Sequence, residues 1–329
     1  MEMKKTATDL GVPSDSIHDR TLHGVYRAIR YLHRTGILPR GHSWLARMFA
    51  SLVPSTSVVQ AQIPGIGSLW VDLSDRGQCA YFLESGLLRE RLDSAILISG
   101  ARSFNVVFDL GAHIGYYSSL LWKWAPRAAV HAFEPSEQTF KMLWKNLGDR
   151  SRITLNQKAV SQITGAQPFY VYDCSDQSSL VRTGNKSVTV ETITVDDYCS
   201  GQSIRQVDFI KCDVEGAELE VVSGAKLVLG SQAPPIWLIE NSTGIRRNRG
   251  ISQKEIARAF RTYSSQPLDF FSAQSNGSKV QLFPCDPDRV SWDEAGVNIW
   301  VVPQNWKATF LAMVSQATLN SITGHEGSL

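Results

Sequence analysis

The sequence lacks the features that would assign it to a special class of protein: long hydrophobic runs, paired cysteines and a strong charge of one sign. No apolar stretch reaches the roughly eighteen residues of a membrane span, and residues 1–19 are too polar for a secretion signal. The formal net charge of +2 gives no overall attraction to nucleic acid. With 43% hydrophobic and 19% charged residues, the composition is that of an ordinary globular protein.

The five cysteines show neither a C-x-x-C pair nor the spacing of a metal site with histidine. Free thiols in a reducing compartment are the simplest explanation of this pattern, which favours a cytoplasmic protein. The cysteines concerned are Cys79, Cys174, Cys199, Cys212 and Cys285.

An apolar strand predicted over residues 104–110 ends in a polar, glycine-containing turn. Asp109 lies near the end of this strand, and Gly111 and Gly115 follow before a predicted helix. A second apolar strand, predicted over 129–133, is followed by Glu134, at the distance where βαβ nucleotide sites place a carboxylate for ribose hydroxyls. The two features together predict a cofactor site of the nucleotide type.

The spacing of the glycines indicates which cofactor. In the dinucleotide fingerprint a middle glycine lets the backbone approach a pyrophosphate, and in this sequence that position is His113. S-adenosylmethionine (SAM) has no phosphate, so its site needs only room beside Gly111, helix-start amides for the methionine carboxylate and an acid for the ribose. The pattern therefore favours SAM. A turn that uses its glycines for packing alone is the alternative.

From about residue 101, predicted strands and helices alternate as in a doubly wound parallel sheet, which makes the predicted fold α/β and Rossmann-like. Ser136 is placed to cap a helix after the second strand. An inserted strand pair is expected over 166–172 and 187–194, and an antiparallel ending over 268–272 and 297–302. The predicted core strands are 104–110, 129–133, 153–160, 207–212 and 236–239.

Upstream of this region we predict helices over 21–35, 43–52 and 87–97 and a β-hairpin of strands 58–63 and 68–73. The first two helices are basic and amphipathic, because no acidic residue lies between Asp19 and Asp72. Such a segment is either an ordinary solvated helix pair packed on the core or a surface that contacts an anionic membrane, a carrier or a nucleic acid. Its arginines are Arg20, Arg27, Arg30, Arg34, Arg40 and Arg47.

Acidic side chains follow two further predicted core strands. Asp213 and Glu215 come after strand 207–212, and Glu240 and Asn241 after strand 236–239. Because the carboxyl ends of parallel strands line the ligand crevice, we expect Asp213 to face the reactive end of the cofactor, although an acid here can also cap a helix. The candidate general bases are, in order, Asp213, His113 and Glu240. The alternative is a Mg²⁺ site formed by Asp213, Glu240 and Asn241.

Four segments in order resemble the signatures of FkbM-type SAM-dependent methyltransferases. They are DLGAHIGYY at 109–117, FEP at 133–135, TVDD at 194–197 and KCDVEGAE at 211–218, within a region of similarity that covers about residues 105–241. The resemblance implies the class I methyltransferase fold and methyl transfer, usually to a hydroxyl of a sugar, a polyketide or another specialised metabolite.

The resemblance also implies roles for individual residues. The family most often has asparagine where this chain has His113, and leucine where it has Val195. Asp196 is more typical of a turn or helix start than of a substrate contact. The implied cofactor contacts are Asp109, Gly111 and Gly115 at the methionine end, Glu134 at the ribose, and Val160 and Ser161 at the adenine edge.

We therefore predict a helical and hairpin extension over 1–100, a SAM-dependent methyltransferase domain over 101–310 and a tail over 311–329. The expected partner is a small-molecule acceptor, such as a glycosylated or lipid-linked compound, and no nucleic acid partner is expected. The alternatives are N-methylation, an NAD(P)-dependent oxidoreductase and a noncatalytic module that binds anionic surfaces.

Overall fold

The computed structural model describes residues 58–83, 90–172, 175, 178–181, 186–241, 249–292 and 298–319. The predicted helices over 21–35 and 43–52, their arginines and Cys174 lie outside these residues. Within the described residues, no helix is long and apolar enough to cross a bilayer.

The described elements alternate along the chain much as the hydrophobic pattern predicts. The strands are β1 (Val58–Ile63), β2 (Gly67–Asp72), β3 (Val106–Leu110), β4 (Ala129–Phe133), β5 (Ile153–Asn156), β6 (Ala159–Val160), β7 (Gly165–Tyr170), β8 (Ser187–Ile193), β9 (Phe209–Cys212), β10 (Ile236–Glu240), β11 (Leu268–Asn276), β12 (Lys279–Pro284) and β13 (Asn298–Pro303). The helices are α1 (Arg76–Leu83), α2 (Arg91–Gly100), α3 (Tyr116–Trp124), α4 (Glu137–Leu147), α5 (Val195–Gly201), α6 (Glu218–Ser223), α7 (Lys226–Leu229), α8 (Gln253–Tyr263) and α9 (Lys307–Gln316).

Eight strands form the central sheet, in the order β12-β11-β13-β10-β9-β3-β4-β5. Strands β10, β9, β3, β4 and β5 are parallel, while β13 runs antiparallel to both of its neighbours. This arrangement confirms the predicted doubly wound α/β fold and its antiparallel ending. The chain leaves β3 on one side towards β4 and later returns on the other side as β9. In such sheets, ligands bind where the strand order reverses in this way.

One predicted strand was wrong. The stretch 153–160 forms two short strands, because the chain leaves the central sheet after Asn156. The Asn156 carbonyl accepts the Glu134 N–H at 3.1 Å, and its side-chain amide donates to the Ala132 carbonyl at 3.1 Å. β6 then pairs with β8 in a separate three-stranded sheet with β7, which contains the predicted antiparallel insertion. The sequence analysis also missed β12.

Alternation along the central strands buries an apolar layer on each face of the sheet. Val107, Phe209 and Trp300 pack on one face in a cluster that includes residues of α2, α3 and α9. Their chain neighbours Phe108 and Ile210 pack on the other face with residues of α5, α6 and α8. A sheet covered on both faces reads as nearly continuous apolar runs, which is why the core strands were predictable.

The predicted hairpin is confirmed, with β1 and β2 antiparallel from Val58↔Asp72 to Ile63↔Gly67. Its inward side chains belong to the same apolar cluster as α2 and α3. Asn146 of α4 ties the hairpin to the rest of the chain. The Asn146 Oδ1 accepts the Trp70 N–H at 2.6 Å, and its Nδ2 donates to the carbonyls of Trp70 at 3.0 Å and Ile114 at 2.8 Å.

Replacing Asn146 with alanine should lower the free energy of unfolding by about 2 to 3 kcal/mol, because three hydrogen bonds of roughly 1 kcal/mol each are lost. Urea denaturation measures this loss. Gln138 lies exposed on the same helix, so Gln138→Ala is the matched control and should change stability by less than about 0.5 kcal/mol. Similar losses in both variants would show that Asn146 does not anchor the hairpin.

Both predicted helix caps that the structure describes are present. The Ser136 side chain accepts the Thr139 N–H at the start of α4, which confirms the predicted cap. The Asp196 carboxylate accepts the N–H groups of Leu227 at 2.9 Å and Val228 at 3.0 Å, so it stabilises the start of α7. At the other end of the chain, α9 continues past residue 310 and packs on α2, where the Ser99 hydroxyl donates to the Met313 carbonyl at 2.7 Å.

Candidate functional site

The turn after β3, residues 109–115, lies where the strand order reverses, and we call it the cofactor turn. The N–H groups of Gly111 and Ala112 donate to the Phe133 carbonyl at 3.0 and 2.8 Å, which fixes the turn against the end of β4. Gly111 has a φ of +79°, and a Cβ there would lie 1.7 Å from the carbonyl oxygen of Asp213. Only glycine fits this position, so the cofactor turn lies directly against the segment that follows β9.

His113 also has a left-handed backbone, with a φ of 51°. Asparagine and histidine are both enriched in this region of backbone space. The asparagine of the family that the sequence resembles and the histidine of this chain therefore meet the same backbone requirement. The His113 N–H donates to Oε2 of Glu134 at 3.1 Å.

Glu134 is buried beside the cofactor turn, as predicted from its position after the second core strand. Its Oε1 accepts the Ser136 N–H at 2.9 Å, and its Oε2 accepts the His113 N–H. Each carboxylate oxygen has two lone pairs, so each can accept one further hydroxyl. Burial raises the pKa of Glu134 to about 7, although the two backbone hydrogen bonds act in the opposite direction. This geometry suits a ligand with two adjacent hydroxyls, such as a ribose.

Asp109 lies beneath the cofactor turn, almost fully buried. Its Oδ2 accepts the hydroxyl of Ser118 on α3 at 2.6 Å, and burial raises its pKa to about 6. Gly115, at the other end of the turn, has a φ of +96° and contacts α4 so closely that a Cβ would lie 2.6 Å from Leu147 Cδ1. Asp109 therefore joins the turn to α3, and Gly115 lets the turn pack closely against α4.

The two residues proposed for the adenine edge lie at β6. Val160 is buried in the apolar cluster that also contains Phe133 and Tyr198. The Ser161 N–H donates to the Ile193 carbonyl at 3.0 Å. Both are thus fixed by the small sheet, and their contact with a cofactor stays a prediction.

Three carboxylates meet at the ends of β9 and β10. Asp213, Glu215 and Glu240 can each present an oxygen within 4.8 Å of the others. The structure thus brings together two of the predicted bases, and it adds Glu215. Asn241 donates its side-chain amide to the Trp292 carbonyl at 2.7 Å, which leaves only its carbonyl oxygen as a ligand atom for the Mg²⁺ alternative.

A buried lysine that the sequence analysis missed lies beside these acids. Lys211 Nζ is 3.4 Å from Asp213 Oδ2 and 3.5 Å from Asn298 Oδ1, and it lies 5.2 Å from the centre of the Tyr117 ring. Burial lowers the pKa of Lys211, but the carboxylates of Asp213, Glu90 and Glu240 more than offset this and raise it. The ammonium therefore stays charged and already supplies positive charge to the cluster.

The charge of Lys211 also determines which of the two acids, Asp213 or Glu240, is ionised. Burial raises the pKa of Asp213, but the Lys211 ammonium outweighs this effect and the pKa is lowered. The pKa of Glu240 is raised well above its usual range by burial and by the charge of Asp213. The pair therefore holds one proton near neutral pH, on Glu240, and Asp213 carries the negative charge. With 30% of its side chain exposed, Asp213 is also accessible.

These polar groups come from neighbouring strands of the central sheet and are paired by its register. Asp109 and Lys211 are register partners on β3 and β9, and Glu240 and Asn298 are partners on β10 and β13. The Asn298 amide donates at 2.5 Å to Glu90, just before α2. The same amide donates to Asp93 of α2 at 3.1 Å, and the Trp300 indole donates to Asp93 at 2.6 Å. The only sequence signal for this network is a polar residue at an inward position of an otherwise apolar strand.

The region that holds most of these groups is similar to a known protein family. Residues 109–263 match the methyltransferase FkbM domain, from Asp109 in the cofactor turn to the end of α8. The chain is therefore similar to FkbM methyltransferases over a little less than half of its length. The matched region begins after the hairpin and α2 and ends before β11, so the Glu90 and Asn298 side of the polar network lies outside it.

Two curated proteins are similar to part of this chain. The 2-O-methyltransferase NoeI of Sinorhizobium fredii is 27% identical over 142 residues, which cover 38% of this chain and 58% of NoeI. The hexuronic acid methyltransferase AglP of Haloferax volcanii is 29% identical over 138 residues, which cover 41% of this chain and 56% of AglP. The chain thus spans little more than half the length of these relatives.

Among solved structures, an O-methyltransferase from Bacillus cereus in complex with SAH shares 10% identity, with a TM-score of 0.38. The alignment covers 84% of this chain and 97% of that one.

Proposed function

We propose that this chain is a SAM-dependent methyltransferase that acts on a hydroxyl oxygen of a small, sugar-containing acceptor. The observation that carries this proposal is the match of residues 109–263 to the FkbM methyltransferase domain, which spans both the cofactor turn and the acids after β9 and β10. The names of the two relatives, a 2-O-methyltransferase and a hexuronic acid methyltransferase, favour oxygen and a sugar-type acceptor.

The residues of the cofactor turn fit SAM. Gly111 lets the turn lie directly against the Asp213 backbone, and Glu134 presents two oxygens with acceptor capacity for the ribose hydroxyls. The N-terminal amides of α3, the helix that follows the turn, would hold the methionine carboxylate. When bound, SAM supplies a methyl group already activated by its sulfonium.

Asp213 is our proposed general base. Its carboxylate is accessible and ionised. It would accept the proton of the acceptor hydroxyl as the oxygen bonds to the methyl carbon, while the methyl–sulfur bond of SAM breaks and the demethylated thioether leaves. Glu240, which holds a proton, donates a hydrogen bond to Asp213. The ammonium of Lys211 contacts Asp213 and keeps its carboxylate ionised. Alignment of acceptor and donor contributes roughly 7 to 11 kcal/mol at best, more than the roughly 3 to 5 kcal/mol that a base supplies.

Because Glu134 titrates near neutral pH, SAM affinity should depend on pH. The ionised carboxylate can accept both ribose hydroxyls, so affinity should fall as the pH is lowered through about 7. Glu134→Gln should weaken SAM binding by about 1 to 3 kcal/mol and flatten this pH dependence. Isothermal titration calorimetry between about pH 6 and 8.5 measures both effects across the range in which this acid titrates.

Glu137, exposed at the start of α4, offers the matched control. Glu137→Gln should keep both the affinity and its pH dependence. A Glu134→Gln variant with the affinity and pH profile of the unsubstituted protein would contradict the assignment of Glu134 to the ribose.

The function itself is tested by two measurements. Calorimetry on folded protein should detect binding of SAM or its demethylated product and none of NAD(P)H, which separates a methyltransferase from an oxidoreductase. Transfer of a radiolabelled methyl group into extracts of the source organism, followed by identification of the product, names the acceptor. No heat with SAM or with its demethylated product would refute the proposal.

We also propose a cytoplasmic location. The support is that Cys79, Cys199, Cys212 and Cys285 are buried free thiols, as is typical of proteins in a reducing compartment. Peripheral membrane contact through the arginine-rich segment stays a prediction, because that segment lies outside the described residues.

A further inference from the structure

The ring of His113 is held by two segments that are distant in sequence from the cofactor turn. Its Nε2 lies 2.5 Å from the hydroxyl oxygen of Ser175, in the connection between β7 and β8. Ser175 donates in turn to Oδ1 of Asp75 at 2.8 Å, between β2 and α1. The Tyr81 ring of α1 stacks on the imidazole, with ring centroids 6.0 Å apart and an angle of 29° between the planes.

The direction of these hydrogen bonds follows from the groups involved. A carboxylate can only accept, so the single hydroxyl hydrogen of Ser175 points to Asp75. The Ser175 oxygen therefore accepts the N–H at Nε2 of His113. The three side chains form one chain of hydrogen bonds that orients the imidazole.

The backbone of His113 needs such support. Its φ of 51° is disfavoured for a residue with a Cβ, and it is this conformation that directs the His113 N–H to Oε2 of Glu134. If the imidazole were released, the turn would populate other conformations, and Glu134 would lose one of the two N–H groups that hold its carboxylate.

We propose that Asp75, Ser175 and His113 act as a positioning chain for the cofactor. By anchoring the imidazole, they hold the left-handed turn that keeps Glu134 oriented towards the SAM ribose. His113 is in this view a positioning residue rather than a base. The proposal rests on the proposed function, and it links SAM affinity to two segments, at Asp75 and Ser175, that lie outside the cofactor turn.

Two substitutions at one position separate the backbone requirement from simple loss of the side chain. His113→Ala removes the anchor and keeps the strain, so SAM binding measured by calorimetry should weaken about 10-fold if the competent turn falls to about a tenth of the population. His113→Gly also removes the anchor, but glycine adopts a positive φ without strain and should recover most of the affinity. A glycine variant that binds SAM no better than the alanine variant would overturn the proposal.

Ser175→Ala removes the middle residue of the positioning chain. It is tested in two backgrounds, the unsubstituted protein and the His113→Gly variant. With His113, SAM affinity should fall about 3- to 10-fold for a competent fraction between about a third and a tenth; with glycine, it should not fall further. Ser178 is the matched control, because it lies three residues on and its hydroxyl oxygen accepts the Tyr172 N–H at 3.2 Å. Ser178→Ala should keep the affinity of the unsubstituted protein.

An equal loss from Ser175→Ala in both backgrounds, or no loss with His113, would refute the positioning chain while leaving the methyltransferase assignment intact. Urea denaturation of each variant shows that the comparison is made between folded proteins. No SAM binding by the unsubstituted protein would refute the proposed function and the positioning chain together.

Discussion

Replacing Gly111 with alanine should abolish SAM binding and destabilise the protein. The new Cβ would lie 1.7 Å from the Asp213 carbonyl oxygen, a backbone atom that cannot move without displacing the end of β9. Alanine also disfavours the φ of +79°. Overpacking typically costs about 1 to 3 kcal/mol and the left-handed backbone roughly 1 to 2 kcal/mol more, so stability should fall by about 2 to 5 kcal/mol.

Calorimetry and urea denaturation measure the two effects, and SAM affinity should fall by at least about 100-fold, or roughly 2.7 kcal/mol. Gly201, at the end of α5, has open space around the position of a Cβ. Gly201→Ala is therefore the matched control and should change stability by less than about 1 kcal/mol. A Gly111→Ala variant that binds SAM normally would show that the cofactor does not lie at this turn.

Asp213→Asn should lower the turnover number by about 10²- to 10⁴-fold, because an amide cannot accept the hydroxyl proton. SAM affinity should change much less, since the proposed role of Asp213 lies in the transition state. Comparing kcat from single-turnover methyl transfer with the calorimetric affinity for SAM separates the two. Parallel losses in both quantities would instead indicate a cofactor-binding or structural role.

Glu240→Gln is the informative companion to Asp213→Asn. Because Glu240 holds a proton, glutamine imitates its uncharged state and preserves a hydrogen-bond donor towards Asp213. We expect a loss of turnover of about 10-fold or less, well below the effect of Asp213→Asn. If glutamine at position 240 proved as damaging as asparagine at 213, Glu240 would be the stronger candidate for the base.

The turn after β3 and its position beside the end of β4 were predictable because their signals are local. A strand, a glycine turn and a helix lie within a few residues of one another, and the next strand in the chain is also the next strand in the sheet. Glu134 could therefore be placed beside Gly111 from spacing alone. The Ser136 cap and the hairpin strands are equally local patterns, and the structure confirms them.

The remaining contacts of the site were less predictable, because they join residues that are far apart in the chain. Lys211 lies in a predicted core strand, but its partners Tyr117 on α3 and Asn298 on β13 are distant in sequence and could not be identified from it. Ser175 meets His113 across 62 residues and Asp75 across 100, between loops whose sequences carry no pairing signal. The end of β5 at Asn156 was missed because neither glycine nor proline marks the break.

The attachment of the hairpin has a consequence for anyone who dissects this protein. Sequence similarity alone would suggest expressing a fragment that starts near residue 105, yet that cut removes Trp70 and the apolar side chains that share a core with α3. It would expose the apolar surface of α3 that the hairpin covers, and it would leave Asn146 with one of its three hydrogen bonds. A minimal functional fragment should therefore retain the chain from Val58 onward.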